Sequence, residues 1–277
     1  MESVGNFFYI YAGILKTKSM RITLVQSDPV WGDPAGSLAR LDEQLKEVGE
    51  TDLIVLPEMF TTGFVASPEG LAEKGAGEGE PESLRWMRKT AALRGCAVTG
   101  SIAFGTGGSH RNRFYFVFPD GKEVHYDKHH LFTYAGEHLR FTAGQERVVV
   151  PYRDFRILLQ VCYDLRFPVY SRNRMTPEGP DYDLILYVAS WPEQRIGAWD
   201  ALLKARAIEN LAFVAAVNRV GTDPGNRYPG HSVLLGPRGE MLSNCKENVE
   251  DAVTFDISKA DLTSFRKSFP ALLDADL

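Results

Sequence analysis

Apolar positions fall into short runs with two different periods. Arg21-Ile22-Thr23-Leu24-Val25-Gln26 alternates and is β-rich, which predicts a strand. Leu38, Leu41, Leu45 and Val48 recur at helical spacing, so residues 35–48 are expected as an amphipathic helix. Asp52 to Leu56 is a short apolar strand stopped by Pro57. A Gly/Glu-rich loop is expected over residues 68–80. Pro81 then opens a second helix marked by Leu84, Met87 and Leu93. Cys96 to Ile102 is another strand. Phe114 to Phe118, Pro119-Asp120-Gly121 and Glu123 to Tyr126 predict a hairpin. Further strands are expected at Arg147 to Val150, Arg156 to Val161, Asp183 to Ala189 and Leu211 to Val217. A helix spans Ala198 to Asn210, with Ala201, Leu202, Ala205 and Ile208 on its apolar face. A second hairpin joins Ser232 to Leu235 with Glu240 to Leu242. Val253 to Ile257 is the last strand, and Asp261 to Lys267 a short helix.

Several of these strands are apolar throughout, so both their faces are covered. Interleaved strands and helices with that property fit two packed sheets, each with helices outside. No repeat and no Pro/Ser-rich linker interrupts the chain. Residues 20–265 are expected as one domain, 1–19 as an N-terminal extension and 266–277 as a C-terminal tail.

Composition narrows the function classes. Of 277 residues, 44% are hydrophobic and 24% charged, with net charge −5, which excludes disorder as the main state and argues against nucleic-acid binding. Three cysteines without a C-x-x-C pair form neither a disulfide framework nor a thiolate zinc site, and fit a reducing cytoplasm. No run reaches the roughly 18 apolar residues needed to span a bilayer. The longest, Phe7 to Leu15, lacks the preceding positive charge and the cleavage site of an export signal.

Three segments place a reactive group just beyond an apolar strand. In Leu56-Pro57-Glu58-Met59-Phe60, a partly desolvated Glu58 suits general acid–base work, against a solvated strand-end Glu. In Tyr126-Asp127-Lys128-His129-His130-Leu131-Phe132, Lys128 offers fixed positive charge for an oxyanion, against a surface lysine. His125 and His129 have an H-x3-H spacing, but no paired cysteines accompany it and no metal is expected. In Val161-Cys162-Tyr163-Asp164-Leu165-Arg166-Phe167-Pro168, Cys162 ends a strand where a turn begins, as at a nucleophile elbow, against an inert core thiol. Cys96 and Cys245 lack such context.

Taken in order, with separations of 70 and 34 residues, the three segments resemble the active-site motifs of the nitrilase or carbon–nitrogen hydrolase superfamily. The resemblance runs from Arg21 to Ile257. It implies an α+β fold, a four-layer α-β-β-α sandwich that forms a homodimer, and a cofactor-free Glu58–Lys128–Cys162 triad. Ala189-Ser190-Trp191-Pro192, Trp199 to Leu203, Ala205 to Asn210 and Val217 to Gly221 resemble the omega-amidase branch, which hydrolyses 2-oxoglutaramate or 2-oxosuccinamate. Glu58 would then be the base, Cys162 the nucleophile, and Lys128 with the Tyr163 N–H the oxyanion hole. Glu137 matches an expected second carboxylate; a solvated loop Glu is the competing reading. A carboxylated substrate needs a cation, for which Arg195 is the candidate, with Phe60 and Trp191 as apolar walls. Arg166 is assigned a structural pairing with Asp164 or Glu209. The alternatives are hydrolysis of an N-carbamoyl amine or a nitrile by the same triad, and a scaffold with a dormant site.

Overall fold

The computed structural model describes residues 19–74, 79–106 and 108–275. The expected extension, apart from Ser19, and residues 75–78 of the Gly/Glu-rich loop lie outside the described residues.

Among the described residues, thirteen strands build two facing sheets, one of them the two-residue strand Glu73–Lys74 beside Ala97–Thr106. The first contains β1 (Ser19–Gln26), β2 (Leu53–Val55), β3 (Ala97–Thr106), β4 (Ser109–Val117) and β5 (Glu123–Asp127). The second contains β6 (Val149–Tyr152), β7 (Phe155–Val161), β8 (Leu184–Ala189), β9 (Phe213–Asn218), β10 (Val233–Leu235) and β11 (Met241–Asn244), and β12 (Asp251–Ser258) returns to the edge of the first. The orders are β12-β1-β2-β3-β4-β5 and β11-β10-β9-β8-β7-β6. Each sheet has a parallel trio at its centre, β1-β2-β3 and β7-β8-β9, flanked by antiparallel strands.

Strand alternation sorts residues between layers. Leu53 and Val55 enter the core between the sheets with Leu159, Val161, Leu186 and Val188. Ile54 points outward, where α1 (Pro34–Lys46) and α2 (Glu82–Arg94) cover it with Leu38, Leu41, Leu84 and Met87. On the other outer face, α3 (Ile196–Asn210) lays Trp199, Leu203 and Ala207 on Leu158, Ile185 and Val214. The four layers are therefore α-β-β-α. Among the described residues, no helix is long and apolar enough to cross a membrane.

Two sequence expectations need correction. Leu93 is 76% exposed, outside the buried stripe of α2. The buried face of α3 is Trp199, Leu203, Arg206, Ala207 and Asn210, rotated from the expected one, and Ile208 is 52% exposed. Hydrophobicity cannot find that face because two of its members are polar and buried through bonds. Arg206 Nη2 donates to Leu165 O at 2.6 Å, and Asn210 Oδ1 accepts Asn173 N at 2.8 Å. Helix α4 spans Lys259–Ser268. Arg266 on that helix bonds the carbonyls of Leu211 and Tyr182 and the buried carboxylate of Asp183, so the segment belongs to the core.

Candidate active site

Glu58 follows β2, Lys128 follows β5 and Cys162 follows β7 directly. Ligand crevices form where parallel strands end, and here strands of both sheets end at one cleft. Lys128 Nζ donates to Glu58 Oε1 at 2.9 Å and to Glu137 Oε2 at 3.0 Å, and all three side chains are buried. Ser190, just past β8, donates its backbone N–H to Glu58 Oε2 at 2.9 Å. Asn112 Nδ2 donates to Glu58 Oε1 at 2.8 Å. Cys162 lines the same cavity as Glu58 and Lys128. Side chains separated by 70 residues thus meet in one cluster.

Cys162 sits at φ 47°, a left-handed conformation uncommon for a residue with a Cβ. The chain leaves β7 and turns at once into the 3₁₀ segment Cys162–Arg166, the expected elbow. Asp164 holds this turn. Fully buried, it accepts Val161 N at 3.0 Å, Tyr126 Oη at 2.8 Å, and His130 N and Nδ1 at 2.9 and 2.8 Å. One carboxylate therefore ties the cysteine elbow to the segment carrying Lys128. Sequence reasoning missed this role, although Asp164 lies inside a quoted motif.

A cavity of about 360 Å³ opens onto Cys162, Glu58 and Lys128. Phe64, Phe132, Tyr134, Tyr163, Trp191 and Tyr228 form its aromatic walls, and Arg166, Arg195 and Asn226 bring polar groups. Of the residues singled out in the sequence, Tyr163, Trp191 and Arg195 line this cavity. Phe60 is not. The turn from Met59 (φ 45°) to Gly63 (φ 72°) sends its ring into the core against Trp86 and over Gly100, where an added Cβ would stand 2.9 Å from it. Phe64 emerges from the same turn and takes the wall position. Arg166 also departs from expectation. Asp164 is occupied as described and Glu209 pairs with Arg206 at 3.0 Å, so the Arg166 guanidinium lies over the Trp191 ring at 4.9 Å, facing the cavity. Arg195 lies over Phe132 at 5.3 Å and Tyr134 at 5.8 Å. Neither guanidinium has a carboxylate partner among the described residues.

Glu137 is buried and accepts Phe132 N at 2.5 Å, which excludes the solvated-loop reading. His129 Nδ1 bonds Gly144 O at 2.7 Å and its ring stacks on Tyr170, so the H-x3-H spacing brings no cluster together. Among the described residues, no group of three or more His, Cys, Asp or Glu is arranged to hold a metal.

Two carboxylates and one ammonium leave this buried cluster one negative charge in excess. Burial opposes the charge on Lys128, but Glu137 and Glu58 outweigh it and raise its pKa. Burial raises Glu137, with Lys128 opposing. Burial likewise pushes the Cys162 thiol well up, the charge of Glu58 adds to this, and Lys128 opposes. The sulfur therefore keeps its proton in the resting site. We expect no thiolate absorbance at neutral pH in the ultraviolet difference between wild type and Cys162→Ala. A thiolate signal there would mean a preformed ion pair and contradict this account.

The sequence model of the carbon–nitrogen hydrolase family matches residues 21–267. Omega-amidase YafV of Yersinia enterocolitica is 44% identical over 259 residues, 93% of this chain and 97% of the relative. A 2-oxoglutaramate amidase of Bacillus subtilis is 33% identical over 257 residues, covering 91% and 96%. Among solved structures, XC1258 of Xanthomonas campestris, a CN-hydrolase superfamily protein with an arsenic adduct in its active site, is similar with a TM-score of 0.89 at 44% identity, covering 94% of this chain and 98% of that one.

Proposed function

The chain belongs to the carbon–nitrogen hydrolase family, a hydrolase of C–N bonds, and on that premise we propose that it cleaves the ω-amide of a small 2-oxo acid through a thioester on Cys162. The carrying observation is the cluster of Glu58, Lys128 and Cys162 beside two unpaired guanidiniums. Glu58 takes the thiol proton as Sγ attacks the amide carbon. Moving that proton inside the cluster avoids a second excess negative charge. Lys128 and the Tyr163 N–H stabilise the oxyanion; amides that open a helical turn have no partner within it. Glu58 gives the proton to the departing ammonia. It then takes one from water, which attacks the thioester, and returns it to the sulfur. Glu137 holds Lys128 in place.

2-Oxoglutaramate and 2-oxosuccinamate each carry one carboxylate. Arg166 and Arg195 supply the cations to bind it, and the aromatic walls pack on the short carbon chain. The names of the two relatives support the same substrate class. The test is ammonia release from 2-oxoglutaramate, 2-oxosuccinamate and an uncharged amide of matching length. Charge-assisted hydrogen bonds contribute about 1.5–3 kcal/mol. Arg166→Leu should therefore lower kcat/KM for the 2-oxo amides by about 10–150-fold and leave the uncharged amide nearly unaffected. Equal losses on both would remove Arg166 from carboxylate binding. Carbon dioxide release from carbamoyl amines, without ammonia from 2-oxo amides, would overturn the substrate assignment.

A further inference from the structure

Strand β4 presents Asn112, Phe114 and Phe116 on one face, between the sheets. The two phenylalanines fill the central core. Asn112, 1% exposed, comes up beneath the reactive cluster instead. Its Nδ2 donates to Glu58 Oε1 at 2.8 Å and to Glu137 Oε1 at 3.2 Å. Lys128 Nζ donates to the same two oxygens, at 2.9 and 3.2 Å. The backbone carbonyl of Asn112 accepts Lys128 N at 2.9 Å, so this residue registers the lysine's main chain as well as both acids. Asn112 Oδ1 is buried without a partner among the described residues. Turning the amide over would not relieve it, because Oδ1 would then face two carboxylate oxygens. The donor contacts fix the side chain's orientation, at the expense of its acceptor.

We propose that Asn112 is a positioning residue for the hydrolysis, a neutral clamp that holds Glu58 and Glu137 together without changing the charge of the cluster. A cation in its place would cancel the negative charge that draws the proton from Cys162. A carboxylate would add a third negative charge. The amide supplies hydrogen bonds and leaves the cluster with one negative charge in excess. The other groups facing the pair are Lys128 beyond β5, Cys162 on the elbow, and Tyr228 on the short strand Arg227–Pro229. The proposal rests on Glu58 acting as the base, as read above.

The near-isosteric variant Asn112→Asp tests it in two ways. The acid limb of kcat/KM for amide hydrolysis, and that of Cys162 alkylation by iodoacetamide, should both move to higher pH by about one unit or more, because an added like charge disfavours the ionised pair. Asn112→Ala removes the donor without adding charge and should shift both limbs less, in the same direction; it carries the test if the Asp variant does not fold. KM should change little, since Asn112 does not line the cavity. A merely structural role would lower Tm and leave the limbs where they were. Coincident limbs in wild type and the folded variants overturn the proposal. Alkylation needs no amide, so shifted alkylation limbs in a protein inactive on 2-oxo amides would reject the substrate assignment and support the clamp.

Discussion

Replacing Cys162 with alanine should lower kcat for amide hydrolysis by about 10⁴-fold or more, the scale seen when a covalent nucleophile is removed from an otherwise intact site. The fold should survive. Cys162 lines the cavity rather than the packed core, and the elbow is held by Asp164 and its bonds to Val161, Tyr126 and His130 rather than by the thiol. Substrate should still bind, because Arg166, Arg195 and the aromatic walls are untouched. Ammonia release and a thermal melt check this together. Full activity with an unchanged Tm would assign the nucleophile elsewhere.

Lys128→Met should have the next largest effect, on activity and stability at once. Activity falls by about 10²–10³-fold from losing one oxyanion donor, and further because Glu58 loses a partner that orients it. Stability falls because two buried carboxylates lose their counter-charge, a change that costs about 3–5 kcal/mol when one partner of a buried pair is removed. The loss should depend on pH. Without the ammonium, the folded state holds a proton on the carboxylate pair at a pH where the unfolded chain does not, so the variant's Tm should rise as pH drops from neutral toward about 4.3. In the wild type the Lys128 contribution has the same sign but lies in a different, alkaline window. The raised pKa of Lys128 contributes stability that is fully present below the unfolded lysine value and lost as pH climbs above it. Melts of both proteins across pH separate the two cases; parallel curves would show that the ammonium does not neutralise the acids.

Most strands were legible from their apolar runs, and Glu58 and Cys162 stood out as candidates because each lies just past such a run; the strand before Lys128, Glu123–Asp127, is not one. Periodicity also located α1, where Leu38, Leu41 and Leu45 are buried as expected, together with Ser37. It failed on α3, where Arg206 and Asn210 are buried because backbone groups near the elbow satisfy them. Phe60 and Phe64 differ in no property visible in the sequence, and only the turn at Met59–Gly63 decides which one reaches the cavity. Arg166 was misplaced because an acid two residues away invites pairing, while Asp164 is already committed to Tyr126 and His130. Asn112 left a signal that went unused. It shares the parity of Phe114 and Phe116, and a polar residue on a core-facing position needs partners. Which partners depends on loops far apart in the chain, and no local pattern encodes their meeting.

On the proposed mechanism, the amide's acyl group passes through a covalent bond to Cys162 while Glu58 and Lys128 stand beside it. The most direct test is intact-mass measurement after rapid acid quench of the enzyme turning over 2-oxoglutaramate, 2-oxosuccinamate and related ω-amides, with peptide mapping of the adduct. The account predicts an acyl adduct on the peptide containing Cys162, absent in Cys162→Ala, from the amides that release ammonia. Ammonia release with an adduct on another residue, or from the Cys162→Ala protein at the wild-type rate, would contradict it.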